Sequence, residues 1–341
     1  MPLSPLPHRG RNPPSYFLYN TAEIPRPKNT EQVTREAILM KKTEARPTAK
    51  EFAERVRKRT ARLVRGIAEA AGLEPEEIDN QLVCGKMLRT LLPGRIVESA
   101  ETGTCIEALE RVCAAAELVH TASLCHDDVI DKSEMRRGTP SLWKRTGRSG
   151  AVLVGDLLFS EAIRCILDGP SRGYVDLFAD RVREMSATEA EQELVWRGET
   201  PDEETHVRLA RGKTGPLFAL TAAACGGDDE RLTAALQEAG YRIGTAYQLA
   251  DDLVDVIGRE EVAGKTLGTD RRRSKYTLAL RGEDGIKKLR NHVEELCRTA
   301  LEHLDTWRQF RRGILTFIAE DLAQILGRHD EELANRLEQM T

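Results

Sequence analysis

One acidic pentapeptide occurs twice in this chain: Asp127-Asp128-Val129-Ile130-Asp131 and Asp251-Asp252-Leu253-Val254-Asp255, both of the form DDxxD. On a helix, residues i and i+4 share a face, so Asp127 stacks on Asp131 and Asp251 on Asp255. Each copy follows a mostly apolar lead-in, Thr121 to His126 for the first and Ala246 to Ala250 for the second, which places it at the C-terminal end of a helix. The macrodipole disfavours anions there, and like charges one turn apart repel. Such clusters need a compensating cation. Mg²⁺ suits them, because it takes a few carboxylate oxygens and fills its shell with water and phosphate oxygens. Zinc is disfavoured, since no His or Cys recurs at ligand spacing. A carboxylate pair for glycoside hydrolysis leaves the third acid of each copy, and the cations that follow, without a use.

Those cations are Arg136-Arg137-Gly138 just after the first motif, Gly85-Lys86-Met87-Leu88-Arg89, Lys213-Thr214-Gly215, Gly264-Lys265 and Lys275. Taken singly, each reads as a solvated surface charge. With two metal-binding acid clusters they supply what a diphosphate requires, direct cations on one side and metal bridges on the other. His120 lies two helical turns before Asp127 on the same face, where it can donate to such a ligand.

Helices must position these groups. Phe52, Val56, Leu63 and Ile67 recur at helical spacing, as do Ile106, Leu109, Cys113, Ala116 and His120. Leu232, Leu236, Ala239, Ile243, Ala246 and Ala250 form a third stripe, and Ile286, Leu289, Val293, Leu296, Ala300 and Leu304 a fourth. Such stripes mark amphipathic helices, and strand-like alternation is absent. Glycine clusters at 147–150, 169–173, 226–227 and 264–268 read as connections that end helices. The expected architecture is a single all-α domain over residues 48–341, preceded by a Pro-rich arm at 1–47. Seven of the chain's 14 prolines fall in the first thirty residues, which forbids helix there.

The composition of the 341 residues agrees: 40% hydrophobic and 31% charged, with a net charge of −4. No apolar run approaches the length of about 18 residues that a membrane span needs. The acidic balance argues against nucleic-acid binding. Seven scattered cysteines without a CxxC pair suggest a reducing, cytoplasmic setting.

The chain resembles the trans-isoprenyl diphosphate synthases over roughly residues 48–325. The resemblance rests on DDVIDKSEMRRG, on YQLADDLVDV and on the GKTLGTD that follows. It implies a bundle of long helices around a deep central cavity, a homodimer, and head-to-tail condensation of isopentenyl diphosphate with an allylic diphosphate. By resemblance, Mg²⁺ is held by Asp127, Asp128, Asp131, Asp251, Asp252 and Asp255. Arg136, Lys213, Thr214, Gln248, Lys265 and Lys275 surround the allylic diphosphate, while Lys86, Arg89, His120 and Arg137 hold isopentenyl diphosphate. The allylic C–O bond ionises, isopentenyl diphosphate attacks, and a proton leaves to the departing diphosphate. No nucleophilic side chain is required.

Three segments depart from the family pattern. GKRxRP reads Gly85-Lys86-Met87-Leu88-Arg89-Thr90. The segment Asp-Leu-x-x-Gly-Lys reads Asp270-Arg271-Arg272-Arg273-Ser274-Lys275. A glutamine-containing helix between the motifs is matched loosely by Glu191-Gln192-Glu193. Small side chains at Ala122 and Ser123, one turn before Asp127, predict an open channel and linear products longer than geranylgeranyl. Two other functions stand beside this one. A class I terpene cyclase shares the fold and metal, but it pairs one DDxxD with an Asn/Ser motif and lines its pocket with aromatics, which are 5% of this chain. A non-catalytic regulatory subunit resembles the family but loses metal ligands, all six of which are present.

Overall fold

The computed structural model describes residues 46–73, 85–136, 138–257 and 278–340. Helices dominate. In chain order they are α1 (Ala49–Ala71), α2 (Leu88–Ser99), α3 (Ile106–Ile130), α4 (Leu142–Leu167), α5 (Val175–Leu194), α6 (Glu203–Ala223) and α7 (Glu230–Ile257). After them come α8 (Glu283–Glu302), α9 (Arg308–Thr316), α10 (Ala323–Leu326) and α11 (Glu331–Glu338). Two two-residue strands, β1 (Met135–Arg136) and β2 (Thr139–Pro140), pair antiparallel between α3 and α4. Strands this short leave no period-2 pattern, which is why the sequence predicts none.

The predicted stripes are the buried faces. Phe52, Val56 and Ile67 of α1 are buried, as are Leu232, Leu236, Ala239, Ile243, Ala246 and Ala250 of α7. Each large aliphatic or aromatic side chain so removed from water contributes about 1.5–3 kcal/mol. α1 begins with a capping box: the Thr48 hydroxyl accepts from Glu51 N, and the Glu51 carboxylate accepts from Thr48 N. The reciprocal pair also holds the Glu51 carboxyl below its ordinary pKa through the Thr48 backbone bond.

Helices α6 and α7 approach at backbone distance. A Cβ added at Gly244 would stand 2.7 Å from Gly215 Cα, so glycine is needed for this approach. The glycine cluster at 147–150 behaves differently from expectation. It does not end a helix; Gly147, at φ +76°, kinks α4 near its start and the helix continues to Leu167. The clusters at 169–173 and 226–227 do lie between helices, and 264–268 falls outside the described residues. Among the described residues, no helix is long and apolar enough to cross a membrane.

Candidate active site

The first acidic motif closes α3. Lys132 takes the left-handed conformation (φ 53°), Ser133 N donates to Asp128 O at 3.0 Å and Lys132 N to Val129 O at 3.4 Å. This is a Schellman ending, made with main-chain atoms only. The carboxylates are therefore not consumed in capping the helix. The chain then turns back through the β1–β2 hairpin, whose turn glycine, Gly138, has φ +77°.

The hairpin's chemical output is Arg136. Its Nε donates to both Asp128 carboxylate oxygens, at 3.1 and 3.2 Å, and its Nη2 donates to Oδ1 at 2.5 Å. Asp128 is 4% exposed, so this is a nearly buried, forked ion pair. Burial opposes the Arg136 charge, but Asp128 and Asp127 outweigh it and raise the guanidinium pKa. Asp127 and Asp131 are half-buried.

Helix α6 brings further groups toward both motifs. Lys213 Nζ pairs with Glu189 of α5 at 2.7 Å and donates to Gln192 Oε1 at 3.4 Å. Burial works against its charge, and Glu189, Asp127 and Asp131 together override that and hold the ammonium above the usual lysine range. One residue on, the Thr214 hydroxyl donates to Gln248 Oε1 at 2.5 Å, and Gln248 Nε2 donates to Asp252 Oδ1 at 2.9 Å. The other oxygen of Asp252 faces His206 Nε2 at 2.8 Å. Asp251 is half-buried, and Asp255, inside the last turn of α7, is buried.

Five of the predicted residues thus meet through side-chain hydrogen bonds, Asp128 with Arg136, Thr214 with Gln248 and Gln248 with Asp252, and Lys213 lies in the field of Asp127 and Asp131. Within each motif the second aspartate is bound at both oxygens by protein donors. Among the described residues, no three His, Cys, Asp or Glu side chains close into a metal cage. The oxygen donors fit Mg²⁺ in its usual mode, a few carboxylates with substrate phosphate oxygens completing the shell.

The predicted isopentenyl site is more scattered. Lys86 is exposed on the loop before α2. Arg89 is half-buried, and its guanidinium lies 5.3 Å from the centroid of the Phe218 ring. Its pKa is pulled down by burial, with Glu117 and Tyr247 opposing. Thr90, which stands where the family has proline, donates to Glu117 Oε1 at 2.8 Å inside the core. His120 is half-buried, and its carbonyl accepts from the Ser123 hydroxyl at 2.9 Å. Arg137, Lys265 and Lys275 lie outside the described residues.

Ala122 corrects the expectation of a channel open at its level. It is 0% exposed and belongs to the apolar core, so no water-sized space adjoins it. Its small side chain allows close helix packing. Ser123 is only half-buried. Sequence reasoning missed His206 and Glu189. The available signal for His206 was its spacing, seven residues before Lys213 and so two turns back on one face of α6. Gln192 comes from the loosely matched glutamine segment, whose one matching side chain does reach Lys213.

Cys125, next to the motif, has its pKa pushed up to about 12, by burial first and then by Asp128.

Residues 76–299 match the Polyprenyl synthetase family. The octaprenyl diphosphate synthase of Haemophilus influenzae is 35% identical over 172 residues, 49% of this chain and 52% of that protein. The geranylgeranyl diphosphate synthase of Methanosarcina mazei is 32% identical over 215 residues, 60% of this chain and 65% of that one. The chain therefore spans between half and two thirds of these relatives. Among solved structures, the geranyltranstransferase of Thermotoga maritima superposes with a TM-score of 0.62 at 28% identity, covering 79% of this chain and 97% of that one.

Proposed function

The chain belongs to the Polyprenyl synthetase family, and from that premise we propose that it is a Mg²⁺-dependent trans-prenyltransferase. It joins isopentenyl diphosphate head to tail to an allylic diphosphate and releases linear polyprenyl diphosphates. One observation carries the reading: α6 sets Lys213 in the field of Asp127 and Asp131 while its His206 directly, and its Thr214 through Gln248, reach Asp252 of the second motif. A single rigid element thus ties a cation and two acid clusters together.

Asp127, Asp131, Asp251 and Asp255 hold the metal, while protein donors hold the carboxylates of Asp128 and Asp252 beside them. When bound, Mg²⁺ supplies positive charge against the diphosphate whose C–O bond breaks. Lys213 adds a preorganised charge on the same side. Arg136 is held ready by Asp128, and Thr214, Gln248, Lys265 and Lys275 complete the allylic site. Lys86, Arg89, His120 and Arg137 orient isopentenyl diphosphate, so that its double bond attacks the allylic carbon and a proton passes to the departing diphosphate.

Purified protein given Mg²⁺, labelled isopentenyl diphosphate and a choice of allylic primers is expected to form a ladder of linear prenols, and to stop on chelation. Cyclic hydrocarbons would point to a cyclase, and inactivity relieved by a partner chain to a regulatory subunit. We place the final length beyond geranylgeranyl, because the half-buried Ser123, one turn before Asp127, carries no bulky ring there. Ser123→Phe is expected to shorten the products without blocking the first condensation. Ala122→Phe is the poorer test, since overpacking a filled core costs about 1–3 kcal/mol. Unchanged lengths in Ser123→Phe would remove the assignment.

The partner is a second copy of the chain, docked through α4. Leu153, Leu157, Ile163 and Leu167 are exposed along that helix, Leu153 at 61%. Beside them an apolar cavity of about 370 Å³ opens between α4 and α5, lined by Phe159, Ile163, Phe178 and Val182 among others. No metal-motif aspartate lines it. Contiguous apolar surface of this kind marks an interface. Leu153→Asp with Ile163→Asp is expected to turn a sedimenting dimer into a monomer. A wild-type chain that sediments as a monomer would overturn the proposal. The setting is cytoplasmic, in keeping with free, buried cysteines such as Cys113, Cys165, Cys225 and Cys297.

A further inference from the structure

The histidine on α6 has no role in the chemistry described so far, yet it is 5% exposed and its ring nitrogen lies 2.8 Å from a motif carboxylate. Against a carboxylate acceptor, Nε2 must carry the proton and donate it. We propose that His206 is a positioning residue for the second acidic motif: with Gln248 it locks both oxygens of Asp252, and so fixes the last turn of α7 that presents Asp251 to metal.

The geometry supports this in three ways. First, the two donors reach Asp252 from different elements. Gln248 lies one turn below it on α7 itself and His206 lies on α6. A donor on the same helix fixes the side-chain rotamer, whereas a donor on a neighbouring helix fixes the helix end against the bundle. Second, α6 is itself anchored at that level. Glu203, one turn before His206, accepts from Lys288 at 2.7 Å and from His292 at 2.9 Å, both on α8. The brace therefore has a fixed footing. Third, the first motif has the equivalent brace in other chemistry, where Arg136 of the hairpin binds both oxygens of Asp128. Each second aspartate is pinned from outside its own helix, which leaves the first aspartate of the motif available for the cation. Partners of this kind, behind a metal's direct ligands, usually change metal affinity 10- to 100-fold when removed.

The inference rests on the proposed metal site, and the test separates the two. Binding of Mn²⁺, as a stand-in for Mg²⁺, is titrated calorimetrically in the presence of inorganic diphosphate, with no turnover involved. Wild type and His206→Gln, which keeps an N–H donor of similar reach, are expected to bind alike. His206→Leu and His206→Asn, which is polar but too short, are expected to bind 10- to 100-fold more weakly while circular dichroism remains that of the wild type. The Asn variant keeps the test open should the Leu variant not fold. Equal binding by wild type, Leu and Asn variants would overturn the positioning role while leaving the metal site standing. Loss in the Gln variant as deep as in the Leu variant would overturn it too. No Mn²⁺ binding by wild type would overturn the metal site and the inference with it.

Discussion

Asp127→Ala is expected to lower kcat by about a thousandfold or more, with the fold intact. The size follows from what the residue is asked to do. Breaking the allylic C–O bond moves negative charge onto the diphosphate, and preorganised cations opposite that charge account for several kcal/mol of barrier, each 1.36 kcal/mol being about tenfold in rate. The fold survives because α3 ends on main-chain bonds, Ser133 N to Asp128 O and Lys132 N to Val129 O, that no aspartate side chain supports. Removing one of two stacked carboxylates at a helix C-terminus also relieves repulsion, so Tm should hold or rise slightly. The adjacent residue gives the contrast. Asp128→Ala strips the forked partner from Arg136, and breaking a pair with one side so deeply buried should cost about 1–3 kcal/mol, discounted because Arg136 keeps part of its surface in water. Steady-state kinetics and thermal unfolding of the two variants check this. Near-full activity in Asp127→Ala would remove the metal assignment.

How far the chain could be read before folding depends on the range of each signal. The acid motifs are local: five consecutive residues and the 3.6-residue period state both the composition of the site and the face it occupies. The apolar stripes of α1, α3, α7 and α8 are legible for the same reason. Arg136 is intermediate. Its proximity to Asp128 is suggested by eight residues of separation, but its forked geometry depends on a hairpin of two-residue strands that leaves no pattern. His206 was illegible as a site residue, because its partner lies 46 positions away and the contact exists only once α6 packs on α7. That packing needs glycines at 215 and 244, which in sequence read only as weak helix formers. Ala122 shows the opposite failure. A small residue fits both an open channel and a tight helix contact, and only burial distinguishes them.

Lys213→Ala is expected to reduce kcat about 10²- to 10³-fold, the scale seen when one preorganised donor to a developing oxyanion is removed. Before substrate binds, the ammonium already has anionic partners, with Glu189 at 2.7 Å and Asp127 and Asp131 further off. Its charge therefore does not depend on the substrate, and it is in place when the diphosphate departs. Because those anions hold its pKa above the ordinary lysine range, the residue stays protonated throughout the neutral region. The kcat profile should then show no ionisation assignable to Lys213, and raising the pH should not mimic its removal. Lys213→Arg keeps the charge and should recover much of the loss if point charge is what matters, less if the compact ammonium is required. Lys86→Ala provides the reference. Lys86 is exposed on the loop before α2 and assigned to the other diphosphate, so its loss should mainly raise KM for isopentenyl diphosphate. A common kinetic signature for Lys213→Ala and Lys86→Ala would show that the two diphosphates are not divided between these lysines. A kcat within threefold of wild type for Lys213→Ala would take the lysine out of the chemistry altogether.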